Sequence, residues 1–291
     1  MTDWVLGVVG GSGLYDIEGL EDRRQERIET PWGEPSGLLT RGRIGSVEFV
    51  FLPRHDHGHV LTPSAVNYRA NIDALKRAGC TDILSISAVG SLQEAYAPGD
   101  FVMVDQFIDR TFAREKSFFG AGCVAHVSLA DPVCARLSKL AGDASEAAGA
   151  KVHRGGTYLA MEGPQFSTRA ESHMYRSWGC DVIGMTNMPE AKLAREAELP
   201  YATVAMVTDY DCWREAEEAV SVEAVLEVLG RNSLTAKALI EHLAKALSNV
   251  ARTPTDQGIE RALDYAIITA PEARDSDLVA KLDAVAGRVL S

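Results

Sequence analysis

Short apolar runs alternate along the chain with longer segments in which apolar positions recur every three or four residues. A run of four to nine apolar residues between turn signals is typical of a buried strand, and a longer periodic segment predicts a helix. On this basis we expect strands at residues 5–11, 47–52, 82–90, 101–109, 157–162, 181–185 and 201–208. Helices are expected at residues 64–79, 132–149, 168–179, 189–199, 221–250 and 275–290.

Local signals mark where several of these helices begin. Asp131 precedes Pro132, an order that favours an N-cap followed by proline in the first turn. Thr168 and Glu171 have the spacing of a capping box, and Ser221 precedes the longest periodic segment. Because strands separated by helices are typical of α/β proteins, we predict a central, mixed but mostly parallel sheet flanked by helices.

The pattern indicates a single domain with a tail. No repeat or polar linker divides the chain before Thr253. We therefore expect one α/β domain over residues 1–252. Residues 253–291 are expected to form a C-terminal helical appendix, packed on the same domain or on a neighbouring subunit.

Composition and charge exclude several classes of protein. The 291 residues include 29 Lys and Arg against 41 Asp and Glu, and the net charge of −12 argues against a general nucleic-acid or anionic-membrane binder. No run of 18 apolar residues predicts a membrane span, and Asp3 stands where a signal peptide carries basic residues. The five cysteines form no CxxC pair. This favours reduced thiols in a cytoplasmic protein over disulfides or a zinc site.

The first predicted strand runs into a glycine-rich turn, Gly-Gly-Ser-Gly at residues 10–13. Backbone N–H groups and Ser12 could cradle a phosphate there, although the same residues also suit a plain tight turn. Asp16 occupies the position of the third glycine of a dinucleotide-binding fingerprint, and no Gly-Lys-[Ser/Thr] follows. A Rossmann dehydrogenase and a P-loop protein are therefore excluded.

Polar residues follow the next two predicted strands. Arg54, His55, His57 and His59 come directly after the strand at 47–52 and could bind an oxyanion, hold a metal or form a solvated loop. The segment 87–91, Ser-Ala-Val-Gly-Ser, ends another strand in small and hydroxylic residues. Because α/β sites form at the carboxyl ends of strands, a phosphate pocket is one interpretation and two ordinary turns are the other.

Later strands end in groups that suit a flat heterocycle. Phe166, in the turn after residues 157–162, could stack on a purine or be ordinary core. Asp209 and Asp211 end the strand at 201–208 and would share one face if the strand continued. Two neighbouring carboxylates raise the pKa of one of them, and we assign that proton-donating role to Asp209. The chain contains no GxSxG elbow, which argues against a serine hydrolase.

Several of these motifs, taken in order, resemble the trimeric purine nucleoside phosphorylase family over about residues 4–250. The matching segments are GGSGLYD, PRHDHGH, SAVGSL, MEGPQFSTRAES and GMTNMPEAKLAREAELPYATVAMVTDYDCW. Gly184 departs from this pattern, because eukaryotic-type members carry a polar residue there. The resemblance implies the single-domain nucleoside phosphorylase fold.

The resemblance also implies site residues. The matched phosphate-binding positions are Ser12, Arg54, His55, Ser87 and Ala88. The substrate-binding positions are Phe166, Ser167, Met185, Thr186, Val222, Val225, Leu226 and His59, with His126 supplied by a neighbouring subunit. Asp209 and Asp211 match the acidic pair that faces the purine. Val222, Val225 and Leu226 match an apolar pocket for a 5′-methylthio group. The helical spacing of these three residues fits an ordinary helix core equally well.

The implied reaction is phosphorolysis of S-methyl-5′-thioadenosine to adenine and 5-methylthioribose 1-phosphate. Inorganic phosphate is the co-substrate, with no metal or organic cofactor, and the assembly is a homotrimer or a dimer of trimers. Carboxylates accept hydrogen bonds from the 6-amino group of adenine, whereas an asparagine would suit a 6-oxopurine. A 6-oxopurine nucleoside or methylthioinosine phosphorylase is the alternative on the same fold, and a non-catalytic nucleoside-binding protein is a further one.

Overall fold

The computed structural model describes residues 3–11, 14, 17, 19–214 and 222–290, with the side chains of residues 222–225 excepted. Its strands are β1 (Val5–Gly10), β2 (Glu21–Glu26), β3 (Leu39–Ile44), β4 (Val47–Pro53), β5 (Asp82–Ser91), β6 (Phe101–Met103), β7 (Gln106–Asp109), β8 (Val152–Arg154), β9 (Thr157–Ala160), β10 (Val182–Gly184) and β11 (Tyr201–Asp209). Its helices are α1 (Tyr68–Arg77), α2 (Ala135–Ala147), α3 (Arg169–Ser177), α4 (Asn187–Glu196), α5 (Val222–Ser248), α6 (Ser276–Lys281) and α7 (Asp283–Leu290). The predicted α/β architecture is confirmed.

The strands form one mixed sheet centred on β5. One edge of β5 pairs in parallel with β11 along most of its length. The other edge pairs in parallel with β1 over Asp82–Ser85 and, further on, antiparallel with β10 at Gly90 and Ser91. Residues 86–89 of β5 lie between the β1 and β10 pairings, and on this edge they pair with none of the described strands. The opening lies at the carboxyl ends of β1, β4 and β11, where sites form in α/β sheets.

Most predicted elements are present, with changes at their ends. The single strand expected at 101–109 is two strands, β6 and β7. Helix α1 begins after Asn67, whose side chain accepts a hydrogen bond from the Ala70 N–H, and α2 begins after Cys134 instead of at Pro132. The capping box at Thr168 and Glu171 is confirmed. Ser221, the expected cap of α5, lies outside the described residues.

The tail after residue 252 packs on the same chain. It contains two short helices, α6 and α7, in place of the single helix expected at 275–290. Arg288 pairs with Glu198 at 2.6 Å, and Leu282 and Val285 are buried in the cluster that covers one face of the sheet. The division into a domain at 1–252 and an appendix stays a prediction. No helix in the described part of the chain is long and apolar enough to span a bilayer.

Candidate active site

The sequence-predicted residues from four strands meet at the opening beside β5. Arg54 follows β4, Ser87 and Ala88 lie in β5, Met185 follows β10 and Asp209 ends β11. Ala88 is exposed although both of its neighbours in β5 are buried. An exposed residue in the middle strand of a covered sheet indicates a cavity above it, so this edge of the sheet is the candidate active site.

Arg54 is buried and held by a carboxylate. Its Nε and Nη2 donate to the two oxygens of Glu190 at 2.8 and 3.0 Å, and Nη2 also contacts the Ser85 hydroxyl at 2.7 Å and the Val9 carbonyl at 3.2 Å. Nη1 donates to the Ile86 carbonyl at 3.2 Å, in the unpaired part of β5. Burial alone would lower the pKa of Arg54, but Glu190 outweighs it, so the guanidinium is firmly charged.

These contacts limit what Arg54 can offer to an anion. A guanidinium has five N–H groups, and a bidentate grip on phosphate needs two of them on one side. Here the bidentate partner is Glu190. Within the described chain, only one N–H, on Nη1, is left for a ligand.

His55 is buried beside Arg54 as a neutral ring. Its Nδ1 lies 2.8 Å from the Leu61 carbonyl, an acceptor, so Nδ1 carries the proton. Burial, followed by the charge of Arg54, lowers the pKa of His55 to about 4. The ring stacks on His59 with centroids 4.2 Å apart. At neutral pH, Nε2 is therefore a hydrogen-bond acceptor.

The pKa of His55 predicts a pH dependence of stability. The unfolded chain takes up a proton near pH 6.5, whereas the folded protein takes it up only near pH 4. The free energy of unfolding is therefore expected to fall as pH drops from 6.5 to 4 and to lose nothing more from this group below pH 4. In His55→Asn, where an amide can still donate to Leu61, urea unfolding between pH 7 and 4.5 should show a shallower fall. The exposed His57→Asn is the control, and parallel curves for wild type and His55→Asn would refute this cause.

Ser87 is held by an asparagine of α4, next to Thr186 at the start of that helix. The Ser87 hydroxyl donates to Oδ1 of Asn187 at 3.0 Å. Nδ2 of Asn187 is surrounded by the hydroxyls of Ser85, Tyr201 and Thr203 at 3.1, 2.5 and 2.9 Å, which fixes the orientation of the amide. Thr186 is buried at the start of α4 and makes no side-chain capping bond there.

Met185 is held from two sides. Its carbonyl accepts a hydrogen bond from Nη1 of Arg114 at 2.5 Å, and the same guanidinium donates to the carbonyl of Glu162 at 2.7 Å. Gly163 adopts φ +70, and a Cβ there would lie 2.5 Å from the Met185 sulfur. The left-handed backbone favours glycine at 163, and any Cβ there would displace the Met185 side chain.

The residues expected around the base lie on two loops that touch. Phe166 is about half exposed, so its ring is accessible to a flat ligand. The carbonyl of Ser167 accepts a hydrogen bond from the Cys212 thiol at 3.2 Å, and the Arg169 Nε donates to the Cys212 carbonyl at 3.4 Å. Since Cys212 follows Asp211, these contacts join the Phe166 loop to the acidic pair.

The acidic pair differs in geometry from the expectation. β11 ends at Asp209 after a bulge opposite Gly90, and Asp211 adopts φ +51, so the two carboxylates are not alternate residues of one strand. Oδ1 of Asp209 accepts the N–H of Asp211 at 2.8 Å, and Oδ2 accepts the Thr208 hydroxyl at 2.7 Å. Burial raises the pKa of Asp211, and the charge of Asp209 adds to the increase. Asp211 therefore has a raised pKa, and the raised pKa that we assigned to Asp209 stays a prediction.

The remaining predicted site residues are exposed or lie outside the described residues. His59 is exposed and contacts the site through its stack on His55. His126 is exposed, and its backbone N–H donates to Ala266 of the tail at 2.9 Å. Leu226 is exposed on α5. Ser12 and the side chains of Val222 and Val225 lie outside the described residues.

Sequence reasoning missed three residues that hold the site together: Glu190, Asn187 and Arg114. Glu190 and Asn187 follow β10 in α4 and read as the polar start of a helix, yet both are buried. Arg114 lies in a loop, where an arginine normally indicates solvent exposure. Their position shortly after the end of β10 was the available signal for Asn187 and Glu190, and Arg114 carried none.

Comparison with known proteins places this arrangement in a family. Residues 5–245 match the family model described as the phosphorylase superfamily. The chain is 61% identical over 286 residues to S-methyl-5′-thioadenosine phosphorylase of Cereibacter sphaeroides, covering 98% of both chains. It is also 61% identical over 290 residues to the Bradyrhizobium diazoefficiens protein of that name, covering 100% of this chain and 99% of the relative.

Solved structures show the same likeness. A methylthioadenosine phosphorylase from an antarctic soil metagenomic library superposes with a TM-score of 0.91 at 45% identity, covering 98% of this chain and 99% of the other. The methylthioadenosine phosphorylase of Schistosoma mansoni in complex with adenine gives a TM-score of 0.85 at 37% identity, covering 91% and 99%. Since the family model spans most of the sequence, the chain belongs to the phosphorylase superfamily.

Proposed function

We propose that this protein is an S-methyl-5′-thioadenosine phosphorylase. It would convert S-methyl-5′-thioadenosine and phosphate into adenine and 5-methylthioribose 1-phosphate, and so serve purine and methionine salvage. The observation that carries the proposal is the meeting of Arg54, Ser87, Met185 and Asp209 at one opening of the sheet. The names of relatives at about 61% identity over nearly the whole chain support the choice of substrate.

The residues would divide the reaction among them. Phosphate is the nucleophile, so no protein nucleophile is needed, and Arg54, Ser12, Ser87 and Ala88 would hold it. The ribosyl carbon becomes oxocarbenium-like, a charge that the phosphate itself stabilises. The purine leaves as an anion unless a proton reaches N7.

Asp209 would supply that proton. Asp211, whose pKa is raised first by burial and then by the charge of Asp209, lies beside it and donates its backbone N–H to Oδ1 of Asp209. Oxygens of the pair can also accept from the 6-amino group of adenine, which favours adenine over a 6-oxopurine.

His55 would take the acceptor role at the phosphate. At neutral pH most inorganic phosphate still carries a proton, and Nε2 of His55 has a lone pair to receive its hydrogen bond. Phe166 and Ser167 would contact the base and Thr186 and Met185 the sugar and phosphate. Val222, Val225, Leu226 and His59, with His126 of a neighbouring subunit, would complete the 5′ side.

We further propose that the enzyme works in the cytoplasm as a homotrimer with phosphate as co-substrate and no cofactor. The five cysteines are unpaired thiols in the structure, in keeping with a reducing compartment. In the described part of the chain, no group of three or more His, Cys, Asp or Glu residues could hold a metal ion. The exposure of His126 agrees with a role across a subunit boundary.

A substrate panel tests the proposal. We expect phosphate-dependent base release from S-methyl-5′-thioadenosine to exceed that from adenosine, methylthioinosine and inosine in kcat/KM, because carboxylates would face the base and the apolar start of α5 would face the 5′ substituent. The measurement is base release by chromatography, with phosphate-free reactions as the control. Preference for inosine or methylthioinosine would favour the 6-oxopurine alternative, and binding without turnover would favour a nucleoside-binding protein.

A further inference from the structure

A buried polar network connects the two sides of the proposed phosphate pocket. It runs from Arg54 through Glu190 and Tyr201 to Asn187 and then to Ser87, and we call it the Arg54–Ser87 network. Oε1 of Glu190 accepts from both Nη2 of Arg54 at 3.0 Å and the Tyr201 hydroxyl at 2.9 Å. The Tyr201 oxygen in turn accepts from Asn187, which receives the Ser87 hydroxyl.

The network is closed to water and well satisfied. Glu190 is 2% exposed, Tyr201 1% and Asn187 0%. Each of the Glu190 oxygens has a donor, and each end of the Asn187 amide has partners of matching type. Fully satisfied buried networks are rigid, since any rotation leaves a polar group unpaired in a low-dielectric interior.

We propose that Glu190 is a positioning residue for phosphate, acting through Arg54 on one side and through Tyr201 and Asn187 on Ser87 on the other. It fixes the plane of the guanidinium so that one Nη1–H remains for the ligand. It also fixes the amide of Asn187 and hence the rotamer of Ser87. The inference rests on the proposed function for the identity of the ligand, but its contacts are independent of the nucleoside.

Charge and positioning predict opposite outcomes when Glu190 is neutralised. Glu190 offsets the charge of Arg54, so removing its charge would by itself strengthen anion binding. In Glu190→Gln, however, an amide N–H₂ would face an N–H of Arg54, and two donors cannot bond each other. The guanidinium would then no longer be held in one orientation. If positioning dominates, phosphate binding weakens in spite of the more positive pocket.

The first test is Glu190→Gln. We expect the KM for phosphate to rise at least tenfold and the KM for S-methyl-5′-thioadenosine to change less than threefold. The matched control is Asp82→Asn, at the opposite end of β5. It also neutralises a buried carboxylate, which pairs with Arg136 and Arg252 at 2.6 Å each. The control should lose stability and leave the KM for phosphate unchanged. An unchanged or lower KM for phosphate in Glu190→Gln would overturn the proposal.

A second variant decides the matter if Glu190→Gln does not fold. Tyr201→Phe keeps every charge and deletes only the hydroxyl that joins Glu190 to Asn187. We expect its KM for phosphate to rise three- to tenfold with the nucleoside KM unchanged, and Ser145→Ala, which deletes a buried hydroxyl of α2, is its control. Equal effects on phosphate and nucleoside would assign the hydroxyl a purely structural role and overturn the proposal.

Direct binding separates this inference from the proposed function. Titration calorimetry with inorganic phosphate alone should show binding to the wild-type protein and at least tenfold weaker binding to Glu190→Gln or, if that variant is unfolded, weaker binding to Tyr201→Phe. If wild type binds phosphate but turns over no nucleoside, the function is wrong and the positioning role stands. If wild type turns over nucleoside and the folded variant binds phosphate equally well, the positioning role is wrong and the function stands.

Discussion

Replacement of Asp209 by asparagine is expected to lower kcat for S-methyl-5′-thioadenosine by about 10²-fold or more, within the range of about 10²- to 10⁴-fold that general acids contribute. The KM for the nucleoside should change less than fivefold. An asparagine amide still donates a hydrogen bond to N7 of the purine but cannot transfer a proton. The loss therefore falls on the transition state, in which negative charge develops on the leaving base, and only weakly on the bound substrate.

The leaving base provides the sharper measurement. A 2-halogenated adenine is less basic and needs less help to depart, so the defect of Asp209→Asn should shrink with the 2-halo nucleoside. Asp211→Asn is the companion variant, because it changes the neighbouring carboxyl whose pKa is raised. Equal losses with both leaving groups, or a loss confined to KM, would contradict the role of Asp209 as the acid.

The acidic pair shows what the sequence could and could not predict about the site. Two carboxylates after an apolar strand were enough to place a candidate functional group at that strand end. Their relative geometry depended on the bulge opposite Gly90 and on the positive φ of Asp211, which follow from pairing with β5. Such pairing is non-local, so the local sequence did not predict which carboxyl would be buried.

The same distinction applies to Arg54. Its position after a buried strand predicted an anion site, and the structure places it at the opening beside β5. Its principal partner, Glu190, lies 136 residues away on a helix whose sequence looks amphipathic. Without the fold, nothing in the sequence pairs these two residues, so the number of N–H groups left for a ligand could not be foreseen.

The fold itself was predictable where burial imposes a pattern. The core strands β1, β4, β5 and β11 are apolar runs and were found within a residue or two. Strand β2 was missed because its sequence, Glu-Asp-Arg-Arg-Gln-Glu, lies at the edge of the sheet and is almost wholly exposed. An edge strand that buries neither face carries no hydrophobic alternation, and its charges discourage edge-to-edge association.

Gly184→Ala is expected to destabilise the protein by about 1–3 kcal/mol, the usual cost of overpacking a core. A Cβ at this position would lie 2.0 Å from the Tyr158 hydroxyl oxygen and 2.6 Å from Cζ. Tyr158 cannot move aside easily, because it is fully buried and packs against Phe107 with ring centroids 5.7 Å apart. Strand β10 would have to shift, and Met185 and Thr186 of the candidate site follow it directly.

A change at Tyr158 should restore part of this loss. The Tyr158 hydroxyl is buried close to Ser87 and Thr186 but makes no hydrogen bond of good geometry to a described residue, so Tyr158→Phe removes the nearest clashing atom at a modest cost. Phenylalanine keeps Cζ, so relief is partial, and Tyr158→Leu should relieve more of the clash while costing packing of its own.

A double-mutant cycle measures the coupling. We expect Gly184→Ala to cost less free energy of unfolding in the Tyr158→Phe background than in wild type, as judged by urea denaturation. Gly230→Ala on the exposed face of α5, where a Cβ would meet nothing within 4 Å, is the control and should be neutral or stabilising. Strictly additive effects of the two changes would refute the clash. Coupling would explain why the chain carries glycine at 184: the Tyr158 hydroxyl already fills the space that a side chain would need.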